Sequence, residues 1–223
     1  MAGEFEGRGV LVCGAEVGVG PAVVTAFRDA GARVATDAGA KDRAAAALLD
    51  AAEREAGAVD VLVLSARPVT VANFLEVGEG ELREVIESEL VWYALMMQEA
   101  ARRMVEKGGG RIINFVSMSG KTGVHPHVGP YAAAKGGIIA LSRVMAAELA
   151  PSGVTVNAIA TALMEPQVAH HPEERRKQML TGIPVRRFGR VEEAARAALY
   201  LASDDAGYVT GETLNLSGGR FMD

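Results

Sequence analysis

A doubly wound parallel α/β sheet is the fold that this sequence predicts, and three observations predict it. Short apolar runs alternate with amphipathic, alanine-rich stretches from one end of the chain to the other, as expected for buried strands joined by crossover helices. A glycine cluster, Gly14, Gly18 and Gly20, stands between the first apolar run and the first helical stretch. No internal repeat, linker or low-complexity segment interrupts the alternation. The 223 residues therefore read as one domain, 1–223, large enough to bury a single core.

Val10 to Cys13 is the first buried strand. The glycine turn comes at once, then Pro21 and an amphipathic stretch to Ala30; proline suits a first helical turn, where its missing N–H costs nothing. In this strand–turn–helix context glycines let a backbone approach a pyrophosphate, and the helix N-terminus favours its charge. The plainer reading is a tight turn that binds nothing. Arg33 to Asp37 is the second strand. An acidic residue about 20 positions past the glycines can accept hydrogen bonds from an adenosine ribose; Asp37 is near that place, and it can equally begin a loop or cap the next element.

Lys41 to Ala56 is a helix stopped by Gly57, Val59 to Leu64 is a strand, and Glu81 to Val105 is one long helix ended by Lys107 and three glycines. Ile112 to Phe115 is a strand with Ser117 just beyond its end, and a loop carrying His125 and His127 leads to a central helix, Tyr131 to Leu149. Gly136 and Gly137 allow this helix close packing. Val154 to Ile159 is a strand, and Thr161 to Thr181 is a polar, substrate-covering segment with a short helix from Glu173. Val191 to Ala202 is a helix, and Thr213 to Leu216 is the last strand.

The chemistry centres on Tyr131-x-x-x-Lys135. Residues four apart on a helix share one face, and an adjacent cation lowers a phenol pKa. A phenol tuned in this way can give a proton to a carbonyl oxygen or take one from an alcohol. Ser117 can hold the same oxygen. The plainer alternative is a packed tyrosine beside a solvated lysine.

A net charge of −5 argues against a nucleic-acid partner, which calls for a basic face. No stretch approaches the ~20 apolar residues of a membrane helix, and the first residues lack a signal-peptide pattern. Cys13, the sole cysteine, reads as a small buried hydrophobe in a reducing cytoplasm. His125 and His127 have no acidic or cysteine neighbour to complete a metal site, so they read as a loop over the site and no metal is expected.

Taken together, Gly14-x-x-x-Gly18-x-Gly20, Asp60-Val-Leu-Val, Gly110 to Asn114, Ser117, Tyr131-x-x-x-Lys135, Val156 to Ile159 and the segment from Pro184 through Gly219 resemble the short-chain dehydrogenase/reductase family, in its ketoreductase-like branch, over almost the whole chain. The resemblance implies a Rossmann-like fold and hydride transfer between NAD or NADP and a small-molecule ketone or secondary alcohol. It implies Tyr131 as the acid/base, Lys135 lowering its pKa and binding the nicotinamide ribose, and Ser117 orienting the reacting oxygen. It makes Gly14, Gly18, Gly20, Asp37, Ala66, Tyr131 and Lys135 the cofactor contacts. Asp37 favours NAD, although it falls one position short of the family's usual acidic site. Ser119 competes with Ser117, because the spacings to Tyr131 are 12 and 14 rather than the usual 13; Gly120, aligned three beyond the serine, favours Ser117.

Four departures accompany the resemblance. Leu64-Ser65-Ala66-Arg67 replaces the family's Asn-Asn-Ala-Gly, and Thr161-Ala162 replaces a Pro-Gly. Glu89 falls where a helix asparagine holds a water; its carboxylate can hold that water too, or pair with Lys135 and stabilise the charged ammonium. Only about two dozen residues join Asp37 to Asp60, room for a helix but not for the usual extra strand. The expected sheet is one strand shorter than the usual seven, with the adenine pocket partly open. These departures keep an alternative in view: a catalytically weak or inactive subunit that pairs with an active homologue. A non-redox use of the Ser–Tyr pair, as in halohydrin dehalogenases, is disfavoured by Lys135 and the intact glycines. The family's usual four-helix interface implies a homodimer or homotetramer, or a hetero-oligomer with an active homologue.

Overall fold

The computed structural model describes residues 3–37, 44–65, 71–123 and 125–222. Among these residues six strands form one sheet, all neighbours parallel, in the order β2-β1-β3-β4-β5-β6. They are β1 (Gly9–Cys13), β2 (Arg33–Thr36), β3 (Val59–Leu64), β4 (Gly110–Ser117), β5 (Val154–Thr161) and β6 (Thr213–Leu216). The helices are α1 (Gly20–Asp29), α2 (Ala45–Ala56), α3 (Glu79–Ile86), α4 (Trp92–Lys107), α5 (Gly129–Leu149), α6 (Glu165–Val168), α7 (Glu173–Thr181) and α8 (Val191–Ala202).

Side chains alternate across each strand, so one apolar run feeds two cores. Leu11, Cys13, Leu62, Leu64 and Ile112 face α2, α4 and α5, where Leu49, Met96, Met104 and Ile138 complete the layer. Val10, Val12, Val61, Val63 and Phe115 face α1 and α8, packing with Phe27, Ala198 and Leu201. Both faces are covered, which is why these strands read as continuous apolar runs.

The chain leaves β1 in one direction to form β2, then returns across it to form β3. A crevice therefore opens beyond the carboxyl ends of β1 and β3, the place where such sheets bind ligands. The sheet has six strands among the described residues, one fewer than seven, with β2 at its edge.

Three helices differ from the sequence reading. The helix read from Lys41 opens at Ala45, because Ala44 is its extended N-cap, and residues 41–43 lie outside the described residues. The long helix is not continuous: a π turn over Glu87–Val91 separates α3 from α4 and inserts one residue into the course. The course ends at Gly108, whose left-handed φ of 90° only glycine adopts without strain. The central helix begins two residues earlier than expected, at Gly129, with Pro130 in its first turn, so Tyr131 lies inside that turn. In the polar segment, α7 buries no side chain, whereas Val168 joins Ile183 and Phe188 in a small separate cluster.

Candidate active site

The glycine turn is shaped by close approach. Gly14 and Gly18 have φ of 74° and 59°, and a Cβ on Gly20 would stand 2.1 Å from the Gly14 carbonyl oxygen. A Cβ on Gly14 would meet the Ser65 carbonyl oxygen at 3.1 Å, so β1 and β3 converge at the mouth of the crevice. The turn delivers the chain directly into the N-terminus of α1. Tight backbone, absent side chains and a helix N-terminus together fit the diphosphate of a dinucleotide.

Asp37 lies just past β2 and is 7% exposed. Its Oδ2 accepts a hydrogen bond from the Gly14 N–H at 3.0 Å. The carboxylate expected to reach a ribose is thus turned beneath the glycine turn, and one of its two oxygens already braces that turn.

At the other end of the crevice, Ser117 is the last residue of β4, and its hydroxyl comes close enough to Tyr131 to favour the phenolate. Ser117 Oγ also accepts from the Ser119 N–H at 3.1 Å, which fixes its rotamer. The tight turn Met118–Gly120 seats this strand end on α5. A Cβ on Gly120 would meet the Gly136 nitrogen at 2.7 Å and the Lys135 carbonyl carbon at 2.8 Å, so only glycine allows the approach. Ser119 points elsewhere, its hydroxyl lying 3.2 Å from His125 Nδ1. Of the two competing serines, Ser117 is the one brought to Tyr131.

Lys135 is fully buried. Its ammonium lies 2.9 Å from Glu89 Oε2, 4.0 Å from the Tyr93 ring centroid and 5.5 Å from that of Tyr131. Tyr93 is itself held, donating to the Ser65 carbonyl at 2.6 Å. The Tyr131 pKa is accordingly raised, not lowered as its lysine neighbour leads one to expect. Burial is the main cause, the Glu89 charge adds to it, and the Ser117 hydrogen bond offsets part.

His125 borders the site, with its pKa depressed by burial and by the nearby Arg220 charge. Tyr93 and the Ser119–His125 contact went unread in the sequence. Tyr93 had a signal, four residues beyond Glu89 on the same helical course. Ala66, expected against the cofactor, lies outside the described residues, as does Arg67. No cluster of His, Cys, Asp or Glu with metal-binding geometry occurs among the described residues.

Sheet order, glycine turn and the Ser117–Tyr131–Lys135 grouping define a nucleotide-dependent oxidoreductase of the Rossmann type. A family model described as enoyl-(acyl carrier protein) reductase matches residues 36–220. The 3-oxoacyl-[acyl-carrier-protein] reductase FabG of Escherichia coli (strain K12) is 32% identical over 98% of this chain and 99% of its own length. Nodulation protein G of Azospirillum brasilense is 39% identical over 75% of this chain and 68% of its own. A solved structure assigned as a short-chain alcohol dehydrogenase, from Sinorhizobium meliloti 1021, superposes with a TM-score of 0.90 at 29% identity, covering 97% of both chains. The chain belongs to the short-chain dehydrogenase/reductase family and is an NAD(P)-dependent oxidoreductase of the ketone type.

Proposed function

We propose that the protein reduces a ketone, or oxidises the matching secondary alcohol, with Tyr131 as the acid/base. The observation that carries this reading is the grouping of Ser117, Tyr131 and buried Lys135 at the carboxyl end of β4, with the Ser117 hydroxyl close enough to Tyr131 to favour its phenolate. Two hydroxyls converge there on one point, where a carbonyl oxygen can accept from both. In the reductive direction Ser117 orients that oxygen and Tyr131 gives it a proton. The nicotinamide, when bound, supplies or accepts the hydride. Gly14, Gly18 and Gly20 hold the diphosphate, and Asp37 braces the turn that does so. Lys135 contributes through charge near Tyr131. A 3-oxoacyl-[acyl-carrier-protein], the substrate named for the Escherichia coli relative, is the first to assay.

The buried Lys135–Glu89 pair favours a second reading, a subunit of weak activity, because an engaged ammonium is less available to a ribose. A groove of about 540 Å³ between α4 and α5, lined by apolar Ala94, Val105, Leu141, Met145 and Leu149 and by polar Gln98, Arg102, Glu106 and Glu148, suits pairing with a second copy through a four-helix interface. Buried Cys13 suits a reducing cytoplasm, and no described helix is long and apolar enough to cross a membrane.

Tyr131→Phe tests the catalytic reading, assayed with NADH and NADPH separately. Turnover is expected to fall by about 10²–10⁴-fold with an unchanged circular dichroism spectrum. Undiminished turnover in the folded variant overturns it.

A further inference from the structure

Glu89 occupies the middle of the π turn and is the one residue of that turn that is buried. The turn aims the Glu89 carboxylate inward, where it meets Lys135 at 2.9 Å with both side chains sealed from water, 7% and 0% exposed. The Tyr93 ring closes on the ammonium from another side at 4.0 Å, so Lys135 is fixed from two directions. A lone cation beside a phenol stabilises the phenolate. A cation closely paired with an anion acts at a distance as a dipole, whose effect falls off faster than that of a single charge.

We propose that Glu89 is a positioning residue: by engaging the Lys135 ammonium it withholds that charge from the Tyr131 hydroxyl. It thereby sets the site to give a proton to a ketone rather than to take one from an alcohol near neutral pH. In reduction a hydride adds to the carbonyl carbon, the C=O π pair moves onto oxygen, and the Tyr131 O–H bond breaks as its proton passes to that oxygen. Oxidation needs Tyr131 already ionised, a form that burial and the Glu89 charge both oppose.

Among the described residues, the other titratable groups near Tyr131 do not offset this. His125, next to Ser119, has a depressed pKa and so adds no cation near neutrality. Tyr93 is buried and committed to the Ser65 carbonyl. On α3, Glu79, Arg83 and Glu84 are exposed and Glu81 is half-buried. The bias in direction rests on Tyr131 being the proton donor, whereas the electrostatic coupling is measurable without any turnover.

The test is an ultraviolet phenolate titration of cofactor-free protein, read as the difference between each form and its Tyr131→Phe counterpart. In the parent, Tyr131 is expected to ionise later than an ordinary phenol, giving no difference signal through about pH 11. In Glu89→Gln its ionisation moves down by about 1 unit or more, and alcohol oxidation by the loaded enzyme rises at correspondingly lower pH. Glu89→Asp, which keeps a buried anion should the glutamine variant fail to fold, is expected to change in the same direction by less. Ionisation of Tyr131 at or below about pH 10 in the parent overturns the proposal, as does an unmoved titration in the folded variants. A moved titration in a protein without turnover supports the coupling and removes only the catalytic reading.

Discussion

Asp37 Oδ2 accepts the Gly14 N–H at 3.0 Å, joining the end of β2 to the first residue of the glycine turn. A buried carboxylate holding a backbone N–H braces the phosphate cradle before it selects any ribose. Asp37→Ala leaves that N–H unpaired, at a cost of about 1–3 kcal/mol. Calorimetric titration is expected to show NADH and NADPH binding weakened together, by about tenfold or more. A gain for NADPH alone would mean that the carboxylate acts on the ribose instead.

Gly120→Ala probes the seat of Ser117 without touching a reacting group. Its Cβ meets backbone at 2.7 and 2.8 Å, and backbone moves less readily than a side-chain end. The Met118–Gly120 turn must lift from α5 and carry Ser117 away from Tyr131. A misplacement near 1 Å costs about 10²-fold in rate, so the folded variant is expected to lose turnover with only a modest drop in melting temperature. Unchanged kcat contradicts this packing account.

Glu193 predicts one feature of acid stability. Its carboxylate bonds the Arg187 guanidinium at 2.6 and 2.8 Å and accepts the Arg190 N–H at the start of α8. These contacts, Arg187 first, hold its pKa down at about 2 against an ordinary 4.5. A folded pKa below the unfolded one means that the stabilisation is whole above about pH 4.5 and drains away as pH falls towards 2. The pair is open to water, so screening leaves about 1 kcal/mol. Melting temperatures of the parent and Glu193→Gln should differ by a constant amount above pH 5 and converge below pH 4. A gap as wide at pH 2.5 as at pH 6 argues against the assignment.

The elements most legible in the sequence are those whose burial is simplest. β6 and α8 fall on the residues read for them, and the cores of β1, β3, β4 and β5 lie where their apolar runs do, because strands buried on both faces need unbroken hydrophobicity. The shortened link between Asp37 and Asp60 likewise carries the strand count. What escaped is conformational or long-range. A π turn has no composition of its own, so Glu87–Val91 read as ordinary helix. Asp37 supports a bracing and a binding reading equally until its partner is known. Spacing places Lys135 beside Tyr131, but the direction of the phenol's shift depends on burial and on Glu89, 46 positions before the lysine, neither of which a local motif contains.

The π turn carries a consequence for chain length. One surplus residue in Glu87–Val91 separates two helical phases, α3 before it and α4 after it. Deleting exposed Glu87 would let the two halves merge into one regular helix, with the faces of α3 rotated by about 100° relative to those of α4. α3 and α4 could then no longer both lie against α5 with their present faces. A single-codon deletion at this point, conservative in composition, should therefore prove more disruptive than most substitutions in the same helix.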